Sequence, residues 1–337
     1  MLKIERLDDS LAHEWGRFVD DCHESTIFHG LDWLTLCERH QGTALSKLGF
    51  YQDGELVGIF PLYTKKMLLL KVAASPFVVE DTPYLGPLVR DQKLLPDAVS
   101  AIDRYIKGHG INFLRFTLKD KCRHELFEPY RYMHKVRHTH VLDLTQGEEN
   151  IWKNMEGRAR TAVRKAEKSG VTCSIVNDSD RIDTYYQLSE TLYQNQNKVP
   201  PNSKMFYQDI CFGALRDKSR LIAAELDGST IACAIVILHK DTVYYLDAVS
   251  DKKYNTISPS SALQWFIIQM AIKEGFARYD FVGSDMPWIA KFKESFGGKL
   301  HEYSLLEKAS PQWVFTLRNF YGRKLKPAIQ KIKAGKR

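Results

Sequence analysis

The feature that most constrains the fold is a pattern of turns, helices and strands that occurs twice along the chain. An Asp-Gly pair stands between two apolar segments in YQDGELVGIFPLY (51–63) and again in AELDGSTIACAIVIL (224–238). Asp-Gly in such a setting is a strong signal for a two-residue β-hairpin turn. Further on, GINFLRF (110–116) and GFARYDF (275–281) each begin with a glycine that ends a helical segment. Both halves therefore follow the order hairpin, strand, helix, strand.

This order predicts a duplicated α/β (α+β) unit, in which each copy is a mixed sheet flanked by helices. A chain of 337 residues is long enough for two such domains. The join falls near residues 141–151. We therefore expect an N-terminal domain over 1–145, a C-terminal domain over 146–310 and a tail over 311–337.

The segment after the join, IWKNMEGRARTAVRKAEKSGV (151–171), predicts one amphipathic helix that ends at Gly170. Arg160, Arg164 and Lys168 recur at every fourth residue and would form a cationic stripe on this helix. Such a stripe suits the phosphates of a donor or an acceptor. The same spacing is equally compatible with a solvated outer face of an amphipathic helix.

The net charge of +7 is concentrated near the carboxyl-terminal end of the sequence. Residues 318–337 contain eight Lys or Arg and no acid, so the remainder carries a net charge of −1. The domains themselves therefore lack the basic surface of a DNA-binding protein, and we expect no DNA partner. The basic tail suits peripheral contact with an anionic membrane, with RNA or with an acidic partner, and it is also compatible with a solvated terminus.

The composition predicts a soluble protein of the cytoplasm, with membrane association at the inner face as an option through the tail. Hydrophobic residues make up 44% and charged residues 26%, as in globular proteins. No segment reaches the roughly 20 apolar residues of a membrane span, and the first residues lack an apolar export signal. Six cysteines without a CxxC pair favour reduced thiols. His138 and His140 could together hold a metal, but no third ligand stands nearby, and we expect none.

Motifs of the second half resemble a known family. Between residues 244 and 299, SPSSALQWF is followed by GFARYDFVGSD and then by KFKESFGGK. Together with STIFHGLDWL (25–34) and PYLGPLV (83–89), this order resembles the Fem-type peptidyltransferases and the BioF2-like acyltransferases, both of the GNAT (N-acetyltransferase) superfamily. The resemblance extends over about residues 25–305. It implies tandem GNAT-like domains and the transfer of an acyl group to an amine.

The resemblance also implies the substrates. The donor is aminoacyl-tRNA in Fem-type members and acyl-CoA in GNAT enzymes, so we expect one of these as co-substrate and no permanently bound cofactor. The acceptor would be an amine of a cell-envelope or polysaccharide precursor, held in a groove shaped by the N-terminal domain. The segment SDKKYNTISPSSA (250–262) lacks the glycine-rich turn that cradles the pyrophosphate of CoA, although Lys252 and Lys253 could still meet phosphates. The contrasting hypothesis is a catalytically inactive module that binds RNA or a membrane surface through the basic helix and tail.

Within KFKESFGGK the resemblance places Phe292 and Lys293 near the reacting acyl group. The residues agree, because Gly297 and Gly298 end a short helix and would fix a lysine beside an apolar wall. A positioned donor can stabilise the oxyanion of acyl transfer by roughly 3 kcal/mol. Lys293→Met is expected to leave folding nearly intact and to lower turnover by about tenfold or more. The alternative is a surface lysine whose stem lies over apolar side chains.

Two predicted strands, 243–249 and 277–283, should be the neighbours between which a GNAT-like fold holds its donor. Period two places Tyr245 and Asp247 on one face of the first strand, and Tyr279 and Phe281 on one face of the second. Asp247 is the first candidate for the base and Asp285 of GSDMPW the second, although either could be a hydrogen-bonded structural acid. The expected site residues are Lys293, Asp247 and Asp285 for catalysis, and Phe292, Tyr245, Tyr279, Trp288, Arg160, Arg164, Lys168 and Lys253 for substrate binding.

Overall fold

The computed structural model describes residues 2–325 and 328–329, and these form two compact units. The N-terminal unit comprises residues 2–137 and 302–323, and the C-terminal unit comprises residues 138–301 with 324–325 and 328–329. The strands are β1 (Lys3–Arg6), β2 (Ala44–Gln52), β3 (Glu55–Met67), β4 (Leu70–Ser75), β5 (Leu88–Val89), β6 (Phe113–Leu118), β7 (Met133–Asp143), β8 (Thr172–Val176), β9 (Ser219–Leu226), β10 (Ser229–His239), β11 (Thr242–Ser250), β12 (Arg278–Asp280) and β13 (Lys299–Ala309). The helices are α1 (Ala12–Asp21), α2 (Leu31–Gln41), α3 (Leu95–Gly108), α4 (Glu148–Asn154), α5 (Gly157–Lys168), α6 (Arg181–Gln194), α7 (Lys204–Phe212), α8 (Pro259–Lys273), α9 (Pro287–Ser295) and α10 (Trp313–Phe320).

The N-terminal unit contains a mixed sheet in the order β1-β2-β3-β4-β6-β13, with β5 paired on β3. Strands β4 and β6 run parallel, whereas β1–β2, β2–β3, β3–β4 and β6–β13 are antiparallel. Helix α3 lies in the connection from β4 to β6, and its apolar side packs on the sheet. The core of this unit is therefore built between α3 and the inner face of the sheet.

The strands of the C-terminal unit pair in the order β7-β12-β11-β10-β9-β8 and are also of mixed direction. Strands β11 and β12 run parallel and are connected through α8, and their outer neighbours are antiparallel. Helix α8 is apolar around most of its circumference, which suits its position between the sheet and α5. Helix α6 packs against β10 and β11. No helix in the described part of the chain is both long enough and apolar enough to cross a bilayer.

The two units repeat one topology, as the sequence predicts. The hairpins β2–β3 and β9–β10 both close through Asp-Gly turns, at Asp53-Gly54 and at Asp227-Gly228. All four turn residues have positive φ, the conformation that such two-residue turns require. The crossover β4–α3–β6 has its counterpart in β11–α8–β12. These matches confirm the prediction of a duplicated α/β unit with a mixed sheet in each copy.

The limits of the two units differ from the domain boundaries expected at 145 and 310. The chain passes from the first unit to the second within β7, and residues 302–323 return to the first unit through β13 and α10. A terminal strand that rejoins the first sheet has no local signature, because β6 and β13 are distant in sequence. Of the basic tail, residues 326–327 and 330–337 lie outside the described residues.

Residues 151–171 do not form the single helix that their periodicity predicts. Helix α4 ends at Asn154, and Glu156 has extended backbone angles before α5 begins. Arg160 caps the end of α4, because its Nη1 lies within hydrogen-bond distance of the carbonyls of Trp152, Lys153 and Met155. The prediction is wrong because the apolar stripe continues across the break, so that periodicity alone cannot reveal it.

Candidate functional site

Strands β11 and β12 separate in the region where the sequence places the site. They pair as neighbours only from Thr242 opposite Arg278 to Tyr244 opposite Asp280. Beyond that point β11 continues to Ser250, whereas the chain leaves β12 through the loop before α9. The prediction that these two strands are neighbours is confirmed. The rest of this edge of β11 is therefore not paired with β12.

A β-bulge in β11 alters the faces on which its side chains lie. The register with β10 moves from Ile235 opposite Asp247 to Val236 opposite Tyr245, so Leu246 is an extra residue. As a result Tyr245 packs in the core beside α8, whereas Asp247 contacts Tyr185 of α6. The prediction that Tyr245 and Asp247 share a face is therefore wrong, because strict alternation fails at a bulge.

Asp247 is held by tyrosines from two helices. The hydroxyl of Tyr185 donates to Oδ2 of Asp247 at 2.5 Å, and Tyr207 of α7 is a second hydrogen-bonding neighbour. Burial raises the pKa of the Asp247 carboxyl, and the hydrogen bonds from Tyr185 and Tyr207 oppose that rise. The carboxyl is thus hydrogen-bonded by two tyrosines on the face of β11 that packs against α6.

Lys293 lies in the last turn of α9 and is buried, with 5% of its surface exposed. Its Nζ donates to the carbonyl oxygen of Val282 at 2.7 Å and also to that of Gly283. Burial lowers the pKa of Lys293 to about 8, against the opposing influence of Asp280 and Asp285. The alternative of a surface lysine is therefore wrong.

The two carbonyls that accept from Lys293 belong to an unusual turn after β12. Val282 has φ +48° and Gly283 has φ +68°. A β-branched residue in the left-handed region is strained, and such strain persists only where neighbouring contacts hold the backbone. The ammonium of Lys293 supplies two of those contacts and therefore fixes the turn that follows β12.

Strand β7 adds polar groups around this turn. The Thr139 hydroxyl donates to Asp280 at 2.7 Å, and Nδ1 of His140 lies 2.9 Å from the hydroxyl of Ser284. The backbone N–H of His138 donates to Asp285 at 3.0 Å. We call Thr139, His140, Asp280, Ser284, Asp285 and Lys293 the Lys293 cluster.

His140 is the member of the Lys293 cluster that sequence reasoning missed. It is buried, and its pKa is lowered by burial and by the charge of Lys293, which favours the neutral imidazole. The sequence suggested only a metal ligand for the pair at 138 and 140. Among the described residues no group of three or more His, Cys, Asp and Glu side chains is arranged to hold a metal. The feature of the sequence that could have indicated His140 is the alternation His-Thr-His at 138–140, in a strand that pairs with β12.

The Gly-Gly bend brings β7 close to the end of α9. Gly297 has φ +89°, and a Cβ at Gly298 would lie 3.0 Å from the Cβ of His140 and 3.0 Å from Phe281. A larger residue at 298 would therefore push against both neighbours. The glycines end α9 as predicted and allow the Lys293 cluster to pack tightly.

A groove of about 290 Å³ adjoins α9 on its other side. Trp288 and Phe292 contribute aromatic surface to it, and 65% of the Trp288 surface is exposed. Arg158 of α5 reaches α9, where its Nη2 donates a hydrogen bond to the carbonyl of Lys291 at 2.7 Å. The groove is lined by Arg158, Ala159, Ala162, Ser261, Trp288, Lys291, Phe292, Ser295 and Phe296. It thus combines an apolar wall with two cationic side chains and the first turn of α8.

The remaining predicted residues are spread over the C-terminal unit. Arg160 is engaged as the cap of α4, so the expected stripe is reduced to Arg164, which stacks over Trp152 at 5.3 Å, and the exposed Lys168. Tyr279 is fully buried and donates to Gln264 at 2.8 Å, which suits packing rather than direct substrate contact. Tyr245 stacks edge-on against it. Lys253 is exposed in the turn before α8.

Comparison with known proteins finds a family match for part of the chain and similar folds for most of it. Residues 153–292 match the family model described as acetyltransferase (GNAT) domain. A search of curated proteins found no match. The structure is similar to that of FemX, with 14% identity over 90% of this chain and 96% of that one and a TM-score of 0.69.

Two further structures share the fold. The C-terminal domain of a putative lysylphosphatidylglycerol synthetase from Agrobacterium fabrum is 13% identical over 93% of this chain and 97% of that one, with a TM-score of 0.60. A tandem GNAT protein from the clavulanic acid biosynthesis pathway is 12% identical over 92% and 98%, with a TM-score of 0.57. Residues 153–292 thus match a GNAT acetyltransferase domain, and the chain shares its fold with FemX.

Proposed function

We propose that this acyltransferase forms an amide on an amine of a cell-envelope or polysaccharide precursor, with aminoacyl-tRNA or acyl-CoA as donor. The observation that carries the proposal is the buried Lys293 ammonium behind the turn at the end of β12, where β11 and β12 separate. FemX and the putative lysylphosphatidylglycerol synthetase share the fold, which is consistent with aminoacyl transfer.

In the proposed reaction the amine nitrogen attacks the carbonyl carbon of the donor ester or thioester. The new C–N bond forms while the carbonyl electrons move onto oxygen, and the amine gives up a proton to a base. When the intermediate collapses, the bond to the ribose oxygen or the CoA sulfur breaks, and that atom leaves with the electron pair and takes up a proton. The site must therefore stabilise an oxyanion and accept a proton.

Lys293 serves the oxyanion in two ways. An ammonium has three N–H donors, of which the carbonyls of Val282 and Gly283 use two. The remaining donor and the positive charge, in a site of low dielectric, favour negative charge that develops beside the turn. The same contacts fix the strained turn, so that its geometry is set before the donor arrives.

The two candidate acids have different positions, which assigns them different roles. Asp285 belongs to the Lys293 cluster and lies in an exposed loop, so we assign it the role of the base that accepts the proton of the amine. Asp247 is bound by Tyr185 and Tyr207 on the α6 side of β11, and we assign it the positioning of the bulged strand. His140, neutral and hydrogen-bonded to Ser284, supports the loop that carries Asp285.

The groove beside α9 is the proposed seat of the donor. Trp288 and Phe292 offer aromatic surface on which a base or an acyl chain can stack, and Arg158 and Lys291 offer charge for phosphates. Lys252 and Lys253 precede α8, whose first residues have no side-chain cap. The segment 250–262 contains no glycine, which favours aminoacyl-tRNA over a conventional CoA pocket. The N-terminal unit remains the proposed site of the acceptor groove.

The test is to incubate the purified chain with labelled aminoacyl-tRNA and, separately, with labelled acetyl-CoA. Release of the label from one donor, or its transfer to added amine-bearing precursors, is the expected result. Consumption of neither donor under conditions in which the chain is folded would contradict the proposal. Loss of the RNA or membrane contact after removal of the tail, without any acyl transfer before it, would support the binding module instead.

A further inference from the structure

The hairpin between β3 and β4 ends in an exposed apolar tip. Met67 pairs with Leu70, which leaves Leu68 and Leu69 as the two turn residues. Their side chains are 99% and 100% exposed. A soluble surface rarely presents adjacent, fully exposed leucines, and such patches mark contacts with other molecules or with membranes.

The backbone of this tip is also unfavourable for leucine. Leu68 has φ +55°, in the left-handed region that Gly, Asn and Asp tolerate best. Two other tight hairpins of the described chain use Asp-Gly, at Asp53-Gly54 and at Asp227-Gly228, and the hairpin between β10 and β11 uses the polar pair Lys240-Asp241, with Lys240 at φ +51°. Turn geometry therefore does not explain the leucines at 68 and 69, and they must serve something outside the hairpin.

Lysines surround the tip without acids among them. Lys65 and Lys66 are exposed on β3, and Lys66 stands directly opposite Lys71 of β4. Like charges in directly opposed positions destabilise a strand pair. The segment 56–75 contains these three lysines and no acidic residue. An anionic surface above the tip would neutralise this repulsion.

Helix α10 extends the apolar surface next to the hairpin. Leu70 packs against a small core that includes Val314 and Phe315, so α10 lies beside β4. The opposite side of α10 and the residue after it are apolar and exposed, at the helical spacing of one face: Trp313, Leu317, Phe320 and Tyr321. Aromatic residues of this kind are enriched where proteins meet the headgroup region of a bilayer.

We propose that the Leu68–Leu69 tip and the exposed face of α10 form a peripheral membrane-binding surface for anionic lipid. The leucines and the aromatic side chains enter the headgroup region, and Lys65, Lys66 and Lys71 contact lipid phosphates. The charge of the hairpin selects an anionic bilayer over a protein with an apolar groove. The proposal does not depend on the acyl-transfer reaction and differs from the expectation for residues 318–337, because the hairpin is its centre.

The test measures binding of the full chain to vesicles of phosphatidylcholine with phosphatidylglycerol and to vesicles of phosphatidylcholine alone. The variant L68N/L69G replaces the tip with residues that suit the turn, so it should fold at least as stably as the wild type. We expect the wild type to bind the anionic vesicles. The variant should bind them with an affinity that is lower by about tenfold or more. Thermal unfolding of both proteins checks that the fold is retained.

Met205→Ser is the matched control, since Met205 is an exposed apolar residue of α7 in the other unit, and it should leave vesicle binding unchanged. Failure of the wild type to bind the anionic vesicles, equal binding to both vesicle types, or undiminished binding by L68N/L69G would each overturn the proposal. A wild-type dimer that L68N/L69G converts to a monomer, without vesicle binding, would show that a second copy of the chain covers the tip.

Discussion

The ammonium of Lys293 is held from one side by the backbone carbonyls of Val282 and Gly283 and is otherwise enclosed in protein. A buried charge persists only when it is paired or hydrogen-bonded, and these carbonyls meet that requirement. Lys293 therefore couples two tasks, because the charge that would stabilise an oxyanion also holds the strained turn. Any substitution at this position is expected to affect stability as well as turnover.

The first prediction concerns the stability of Lys293→Met. Methionine fits the volume of lysine but leaves the carbonyls of Val282 and Gly283 without their donor, which costs about 1–3 kcal/mol of unfolding free energy. This revises the expectation from sequence that folding stays nearly intact. Urea denaturation measures the difference, with the exposed Lys299→Met as control. Equal stability of Lys293→Met and the wild type would show that the carbonyls find other partners.

The second prediction concerns pH. The pKa of Lys293 is about 8, so the ammonium is present below that pH and lost as the pH rises through it. If the charge acts in transfer, kcat should fall above about pH 8 in the wild type. Lys293→Arg keeps a positive charge and should move this fall to higher pH. An unchanged kcat profile in Lys293→Arg would mean that a different group sets the basic limb.

The lowered pKa of Lys293 also makes the free energy of unfolding depend on pH. The folded pKa lies below the ordinary value of 10.5, so the unfolded chain binds more protons between about pH 8 and 10.5. In that window Lys293 makes the free energy of unfolding rise with pH. Below about pH 8 both states are protonated, and the penalty of the buried charge is fully present.

The third prediction concerns the tyrosine that binds Asp247. Tyr185→Phe removes a donor to the carboxylate, and a hydrogen bond to a charged group contributes about 1.5–3 kcal/mol. The bond opposes the rise in the pKa of Asp247, so its loss should raise that pKa further. Because the bond favours the charged form of the carboxyl, its loss should lower stability more at pH 7 than in acid, where the protonated form is favoured. Denaturation of Tyr185→Phe at the two pH values tests this, and an equal loss at both would contradict it.

Among the elements, α9 and the groove beside it are the part of the site that mutation can probe without disturbing the core. Trp288 is largely exposed, so Trp288→Ala should leave the free energy of unfolding within about 0.5 kcal/mol of the wild type. If the donor stacks on this indole, KM for the donor should rise about threefold to tenfold. Leu300→Ala, at a residue that is 59% exposed but does not line the groove, is the control. A KM unchanged by Trp288→Ala would place the donor elsewhere.

The elements also show where sequence reasoning succeeds and where it ends. The Asp-Gly hairpins, the glycine-ended helices and the Gly297-Gly298 bend were predictable because each depends on residues adjacent in sequence. The bulge at Leu246 and the break between α4 and α5 were not, because tertiary contacts impose them on a continuing apolar pattern. Lys293 is a site candidate from its motif, and its hydrogen-bond partners at 282 and 283 depend on the loop after β12, which the motif does not reveal.

At the scale of the whole molecule, duplication gave the two units the same parallel crossover, but the Phe-Lys-Gly-Gly element occurs in the second half. The hairpin end LYTKKMLLLKV of the first half has apolar turn residues and lysines instead. We infer that the two copies have diverged in task, with the transfer site assigned to the second.

The fifth prediction concerns the basic tail. A cut at 318 would remove Arg318, which donates to the buried carboxylate of Glu307, so the cut must leave α10 and residues 321–325 in place. Truncation from residue 326 should preserve single-turnover acyl transfer, because no proposed site residue lies beyond that point. Full loss of transfer in this truncation, with unfolding unchanged, would assign the tail to the reaction itself.

The most direct test of the central claim is a single-turnover experiment with the donor that the wild-type chain consumes. Lys293→Met, checked for folding at the temperature of the assay, should transfer or release the acyl group about tenfold more slowly than the wild type, or slower still. Lys299→Met should react at the wild-type rate. A folded Lys293→Met variant that matches the wild type would contradict the assignment of the transfer site to the end of β12.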